Sequence, residues 1–184
     1  MSADLEHIKQ VYAEADCLYT EAEVEAAIER MGQAITAELA NSNPLVYCIM
    51  NGGLVVSGKL LTKLNFPLEV DYIHATRYRQ ETTGGALDWK VRPNTSMQDR
   101  TVLILDDILD EGHTLAAIVD FCKAQGAKDV QTAVLVEKKH DRKGVDLNSD
   151  YIGLQIEDRY IFGYGMDYKS YWRNAPGIFA LKGH

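Results

Sequence analysis

The chain has 184 residues, of which 46% are hydrophobic and 25% charged, a composition typical of a soluble globular protein with a sizeable core. Its formal net charge of −8 argues against bulk binding to nucleic acid or to a membrane surface. The first residues lack the basic and apolar regions of a signal peptide, and no apolar run approaches membrane-spanning length. Three cysteines without CxxC spacing indicate neither a disulfide framework nor a zinc site. We therefore expect a cytoplasmic protein formed by a single domain, residues 1–184.

Hydrophobic periodicity and turn residues predict alternating helices and strands along most of the chain. The predicted helices cover residues 4–15, 20–39, 54–64 and 114–125. The predicted strands cover residues 45–50, 68–75, 101–106, 130–136, 151–156 and 178–181. The second helix begins with a capping box, Thr20-x-x-Glu23, and the polar segment 76–99 has room for one short hairpin. This order indicates an α/β fold, a mostly parallel sheet with helices on both faces.

The most informative pattern is the stretch VLILDDILDEGHT at residues 102–114. Four apolar residues predict a buried strand that ends at Asp106 and Asp107, and Asp110 precedes a glycine turn that opens a helix. In such sheets, ligands bind outside the carboxyl ends of the strands, and the N–H groups of a helix N-terminus form an anion site. Carboxylates beside a phosphate cradle suit a phosphorylated ribose, because they can bind its hydroxyls or a Mg²⁺ ion shared with its phosphates.

This stretch resembles the phosphoribosyl pyrophosphate motif of the type I phosphoribosyltransferases, in which two acids, two apolar residues and Asp-x-Gly-x-Thr follow an apolar run. The resemblance implies that family's fold, with a small hood and a mobile lid, and Mg²⁺ as cofactor. It implies that Asp106 and Asp107 hold the ribose hydroxyls, directly or through the metal. Asp110 would be the catalytic base or the hydrogen-bond acceptor at purine N7. The expected 5′-phosphate cradle is formed by Glu111, Gly112, His113 and Thr114.

Two residues of this loop depart from the family's pattern. Glu111 stands where many relatives have threonine, so its carboxylate must point away from the phosphate or be offset. His113 stands where lysine or a small residue is usual. If His113 faces the phosphate, we expect nucleotide binding to weaken as the pH rises through the titration range of a histidine.

A rival motif lies at residues 53–60, which nearly match the P-loop pattern GxxxxGK[ST]. Leu60 stands where the pattern requires a hydroxyl for Mg²⁺, which argues against a nucleoside triphosphatase. Leu54, Val55 and Val56 suit a core better than a phosphate cradle, and Lys59 is then a surface lysine. Asn51-Gly52-Gly53 instead resembles the pyrophosphate-binding loop of the purine phosphoribosyltransferases. That resemblance implies an unusual backbone at Asn51 and Gly52, including a non-proline cis peptide, although the purine enzymes often carry lysine at the position of Asn51.

The C-terminal third resembles the base-binding region of the hypoxanthine-guanine phosphoribosyltransferases. Carried over by position, Tyr160 would stack on the purine and the backbone of Ile161 would bond its edge. Lys138 would donate to the 6-oxo group, since an ammonium has only donors and rejects the amino group of adenine. Asp167 would act near the 2-amino group or as a metal ligand beside Asp106 and Asp107. Arg173, and less surely Arg142, would meet pyrophosphate.

Arg77 and Tyr78 occupy the place of the family's mobile lid, where its purine members commonly have Ser-Tyr. A lid would exclude water from a reactive ribosyl cation.

Taken together, these motifs predict a purine phosphoribosyltransferase of salvage that acts on hypoxanthine and guanine and binds no nucleic acid or membrane. The ranking of hypoxanthine, guanine and xanthine stays open. The relatives are commonly homodimers or homotetramers. The alternative is a regulatory phosphoribosyl pyrophosphate-binding protein of the same fold without significant turnover, against which Asp110 and the acidic surface count.

Overall fold

The computed structural model describes residues 4–77, 87–140, 144–145 and 147–183. The helices are Leu5–Glu14 (α1), Glu21–Leu39 (α2), Leu54–Leu61 (α3) and His113–Ala124 (α4). The strands are Asp16–Thr20 (β1), Leu45–Ile49 (β2), Glu69–Arg77 (β3), Leu87–Val91 (β4), Thr101–Leu109 (β5), Asp129–Lys139 (β6), Tyr151–Glu157 (β7), Ile161–Phe162 (β8) and Gly177–Ala180 (β9).

The larger of two sheets has six strands in the order β4-β3-β2-β5-β6-β7. Its strands pair in parallel except for β3 and β4, which are antiparallel. The carboxyl ends of five strands therefore lie along one edge. This confirms the predicted mostly parallel sheet and places the loops after β2, β5 and β6 next to one another.

Helices cover both faces of this sheet because the buried residues of β5 alternate between them. Leu103 and Leu105 pack in one core cluster with α2 and α3. Val102 and Ile104 pack in a second cluster with α4 on the opposite face. The predicted capping box of α2 is present, with the backbone N–H of Thr20 donating to Glu23 at 2.8 Å.

The smaller sheet, ordered β1-β9-β8, is antiparallel and packs with α1 to form a hood. Tyr12 of α1 stacks on Trp172 with 4.6 Å between ring centroids, and the indole N–H of Trp172 donates to the carbonyl of Ile8 at 2.7 Å. Phe162 of β8 is fully buried in the same cluster. None of the helices in the described ranges is long and apolar enough to cross a membrane.

The structure corrects three expectations. β5 does not end at its paired acids but continues to Leu109, because β6 is long enough to pair with Ile108 and Leu109. The strand β1 was not predicted, since its stability comes from pairing with β9 at the other end of the chain. Leu54 is 54% exposed rather than in the core, although Val56 and Leu60 of the same helix are buried.

Candidate active site

A cavity of about 540 Å³ opens at the carboxyl end of β5. Its lining includes Ala75 of β3 and, from β5 and the loop into α4, Asp106, Ile108, Leu109, Asp110, Glu111, Gly112, His113, Thr114 and Leu115. Gly112 has φ +81°, and a Cβ there would lie 3.0 Å from a methyl carbon of Val145. Among the described residues, no side chain caps the first turn of α4. The N–H groups of that turn thus remain available to an anion in the cavity.

The paired acids of β5 line different cavities. Asp106 lines the first, whereas Asp107 lines a second of about 190 Å³. The backbone N–H of Asp107 donates to Oδ1 of Asp106 at 2.9 Å. Burial and the charge of Asp107 raise the pKa of Asp106 well above its usual range. Burial also raises the pKa of Asp107, against the lowering effect of the Arg173 guanidinium.

The second cavity brings together the residues predicted to bind a purine. Asp107, Ile108, Lys138, Tyr160, Ile161, Met166 and Asp167 line it. Lys138 comes from β6 of the large sheet, Ile161 begins β8 of the small sheet and Tyr160 directly precedes it, so the cavity lies where the two sheets meet. Tyr160 is 46% exposed, an aromatic surface suited to stacking, and its hydroxyl donates to the backbone carbonyl of Asp167 at 3.3 Å.

Asp110 connects the two cavities through its partners. Nζ of Lys138 lies 2.9 Å from Oδ2 of Asp110 and 3.7 Å from Oδ1 of Asp158. Nε2 of His140 lies 2.7 Å from Oδ1 of Asp110, and the His140 side chain is only 4% exposed. No motif described in the sequence includes His140. The two-residue spacing from Lys138 was a usable signal, because residues i and i+2 of an extended chain point to the same side.

The loop between β2 and α3 lies against the second cavity. Its Met50–Asn51 peptide bond is cis, as the resemblance implied, and Asn51 is exposed. A Cβ on Gly52 would overlap the Asp107 carboxylate. Gly165 has φ +110°, and its Cβ would overlap the carbonyl oxygen of Gly52. The loop can therefore approach the acids closely only because both positions lack a side chain.

The P-loop alternative does not agree with the helix that follows this loop. Lys59 lies on α3 and forms an ion pair with Glu25 at 2.7 Å, which is the predicted surface position. The Lys59 ammonium, followed by the Tyr164 hydroxyl, lowers the pKa of Glu25 by hydrogen bonding.

The remaining predicted residues have mixed placements. Arg173 contacts Oδ1 of Asp167 at 2.5 Å, and the backbone N–H of Ser170 donates to Oδ2 of Asp167 at 2.6 Å. Both carboxylate oxygens of Asp167 thus have protein partners. In the part of the chain that the structure describes, no three His, Cys, Asp or Glu residues form a group that could hold a metal, so Asp106, Asp107 and Asp167 do not make a site by themselves. Arg142 and Tyr78 lie outside the described residues. Arg77 ends β3, and its side chain is likewise outside them.

The two unusual residues of the loop before α4 lie side by side. The Glu111 side chain is 52% exposed, and its Oε2 lies 3.9 Å from Nε2 of His113. The backbone N–H of Gly144 donates to the carbonyl of Glu111 at 3.1 Å, and a Cβ on Gly144 would overlap the His113 ring. The Glu111 side chain is thus largely solvent-exposed at the lining of the first cavity, and Gly144 packs over the His113 imidazole.

This chain is similar in sequence and in fold to several known proteins. Residues 14–169 match the family model described as phosphoribosyl transferase domain. The hypoxanthine-guanine phosphoribosyltransferase of Bacillus subtilis is 30% identical over 90% of this chain and 92% of its own length. The bifunctional protein TilS/HprT of Listeria innocua is 34% identical over 90% of this chain, which spans only 26% of that longer protein. A crystal structure of a hypoxanthine-guanine phosphoribosyltransferase from Bacillus anthracis, 26% identical, has a TM-score of 0.85 over 91% of this chain and 98% of its own.

Proposed function

Because the chain belongs to the phosphoribosyl transferase domain family, we propose that it is a single-domain purine phosphoribosyltransferase of salvage. It converts hypoxanthine or guanine and phosphoribosyl pyrophosphate into the nucleoside 5′-monophosphate and pyrophosphate. The observation that carries this function is the pair of adjoining cavities, one lined by the helix N-terminus and one by Lys138 and Tyr160. Such a pair accommodates a ribose phosphate and a planar base side by side.

The reaction displaces pyrophosphate from C1 of the ribose by N9 of the purine. Its transition state is oxocarbenium-like, so positioning and electrostatic stabilisation supply most of the catalysis. Asp106 and Asp107 hold the ribose side of the reaction centre, and Glu111, Gly112, His113 and Thr114 receive the 5′-phosphate. Asp110 takes the proton from purine N7 or accepts its hydrogen bond, because it lies between the two cavities and contacts Lys138.

Base selectivity rests on Lys138, which lines the second cavity and whose side chain is only 11% exposed. A buried ammonium facing the amino group of adenine would lose its hydrogen bond, whereas the 6-oxo group accepts one. Tyr160 stacks on the ring, and the backbone of Ile161 and the Asp167 residue contact its other edge. Pyrophosphate is bound by the backbone at Asn51 and Gly52 and by Arg173, together with Arg142. Arg77 and Tyr78 belong to the lid.

The donor set fits Mg²⁺, which takes oxygen ligands and is commonly held by one or two carboxylates together with substrate phosphates. Asp106 and Asp107 provide such carboxylates, and Asp167 can join them when Arg173 turns to pyrophosphate. When bound, the ion neutralises charge on the leaving pyrophosphate.

Three further properties belong to this proposal. The cysteines Cys17, Cys48 and Cys122 are free, which supports a reducing, cytoplasmic location. The net charge of −8 disfavours nucleic-acid partners. Val70 and Tyr72 project from one face of β3 with exposed fractions of 54% and 43%, which supports a homo-oligomer, a dimer or tetramer, that covers them.

The test supplies purified protein with Mg²⁺, phosphoribosyl pyrophosphate and one of four bases, namely hypoxanthine, guanine, xanthine or adenine. Pyrophosphate release and nucleotide formation are both measured. We expect turnover with 6-oxopurines and none with adenine. Turnover with adenine would contradict the role of Lys138 and leave the family assignment intact. Saturable binding of phosphoribosyl pyrophosphate without turnover of any base would favour the regulatory alternative.

A further inference from the structure

His140, within the described ranges, contacts the proposed catalytic carboxylate and has no role in the reaction described above. Its ring lies at the end of β6, and its Nε2 is 2.7 Å from Oδ1 of Asp110. The His140 side chain is only 4% exposed, whereas that of Asp110 is 37% exposed. Asp110 lines the first cavity and His140 does not, so the contact is made on a side of the carboxylate that does not face that cavity.

In the proposed reaction, Oδ2 of Asp110 accepts a hydrogen bond from Lys138 at one stage and from the purine at another. Oδ2 of Asp110 accepts from the Lys138 ammonium at 2.9 Å in the protein alone. The same oxygen must accept from purine N7 when a base occupies the second cavity, and Lys138 must then donate to the 6-oxo group. Asp158, at 3.7 Å from Nζ of Lys138, offers a carboxylate that can keep the shifted ammonium paired. Base binding thus requires an exchange of partners at Oδ2.

During such an exchange, a carboxylate held only by Lys138 would be free to rotate. A second donor on Oδ1 prevents this, and Nε2–H of a histidine can donate whether the ring is neutral or protonated. We propose that His140 is a positioning residue for Asp110: it holds Oδ1 in place while Oδ2 passes from Lys138 to the base. This inference rests on the proposed phosphoribosyltransferase function and adds to it a residue that acts only through Asp110.

The test compares kcat and KM for His140→Ala and His140→Gln. Removal of the donor should lower kcat about tenfold, as expected for a misplaced catalytic group, and change the KM for phosphoribosyl pyrophosphate by less than about twofold. Glutamine keeps an N–H donor without the imidazole, so His140→Gln should regain most of the lost kcat. His7→Ala is the matched control, because His7 also makes one side-chain hydrogen bond, to the Tyr168 hydroxyl at 3.1 Å, and should leave kcat unchanged.

A double-mutant cycle separates positioning from a general structural role. In the Asp110→Ala background, His140→Ala should have no further effect on kcat, because the group that it positions is gone. An equal loss of kcat in both backgrounds would overturn the proposal, and so would an unchanged kcat in His140→Ala, whatever its thermal stability. If the native chain turns over no base at all, the proposed function fails, and the role of His140 fails with it. Turnover by the native chain with unaffected His140 variants rejects this inference alone.

Discussion

At the scale of single residues, the candidate site contains carboxylates in different electrostatic surroundings, of which Asp110 and Asp106 are the clearest contrast. Asp110 contacts two groups that can carry positive charge, Lys138 and His140. Asp106 lies partly buried beside Asp107, and desolvation together with the charge of Asp107 raises its pKa. The first arrangement holds the Asp110 carboxylate between Lys138 and His140. In the second, burial and the adjacent carboxylate make negative charge on Asp106 costly until a cation arrives. The same residue type thus serves two functions in one short stretch.

Asp110→Asn should separate chemistry from substrate binding. We expect kcat to fall by about 10²–10⁴, the range for loss of a general acid–base group, because an amide cannot take a proton from the purine. The KM for phosphoribosyl pyrophosphate should change far less. Steady-state kinetics with hypoxanthine and guanine measure both quantities. Equal losses in the two would reduce Asp110 to a structural role.

Asp106→Asn should stabilise the protein in metal-free buffer while it abolishes turnover. A carboxyl whose folded-state pKa is raised contributes stability that is present below its ordinary pKa and is lost as the pH rises through the raised value. The amide avoids that loss, so the melting temperature at pH 7.5 should rise by about 2–4 °C, equivalent to about 1 kcal/mol. The difference should vanish near pH 4, where the native carboxyl is protonated.

Asp120→Asn provides the control for this measurement, because Asp120 is exposed on α4. It should leave the melting temperature unchanged across the same pH range. A lower melting temperature for Asp106→Asn than for the native chain at pH 7.5 would contradict the argument.

At the scale of elements, local sequence predicted most helices and strands because their signals are local. The stripe of Val24, Ile28, Met31 and Ile35 and the capping box of Thr20 define α2, and all four apolar residues are buried. The motif at residues 102–114 also predicted the glycine turn and the start of α4 to within one residue. The length of β5 was not predictable in this way, since Asp106 and Asp107 are poor strand residues whose extended conformation is imposed by pairing with β6.

The close contact between Gly165 and the loop that joins β2 to α3 depends on glycine, and two substitutions test this. Gly165→Ala should destabilise the protein by more than about 2 kcal/mol, because the residue has φ +110° and its methyl would overlap the Gly52 carbonyl. Gly58→Ala, in an open position within α3, should stabilise by about 0.5–1 kcal/mol. Denaturant unfolding measures both effects. A mild effect at Gly165 would show that the loop can move away from it.

At the scale of the whole molecule, the second cavity lies where two sheets meet. Lys138 belongs to the large sheet, Ile161 belongs to the small one, and Tyr160 directly precedes Ile161. The small sheet is closed by pairing Asp16 with Ala180, a contact between residues far apart in sequence that no local pattern encodes. Sequence reasoning could therefore group the residues of the second cavity from their motif, but it could not show that some of them come from the hood. Nor could it show that Asp106 and Asp107 line different cavities.

The hood should thus control base binding separately from phosphoribosyl pyrophosphate binding. Tyr12 packs on Trp172 and on Phe179, whose ring centroid is 5.0 Å away, and Phe179 pairs with Phe162 of the strand that carries Ile161. Tyr12→Ala should lower stability by about 2–3 kcal/mol through lost aromatic packing. At a temperature where the variant is folded, the KM for hypoxanthine should rise at least about threefold, since the strand shifts, while the KM for phosphoribosyl pyrophosphate stays nearly constant.

Tyr151→Ala is the matched control, because it removes a buried tyrosine at the start of β7, whose hydroxyl donates to Glu38 at 2.6 Å. It should lower the free energy of unfolding by a similar amount, because both variants lose a large packed ring. Its effect on the KM values for hypoxanthine and phosphoribosyl pyrophosphate should be small. Tyr151 lies at the amino ends of the parallel strands, whereas both cavities lie at their carboxyl ends. If both variants raised the KM for hypoxanthine equally, the loss would reflect general destabilisation. A rise confined to Tyr12→Ala would show that the hood, and not overall stability, positions Tyr160 and Ile161 against the base.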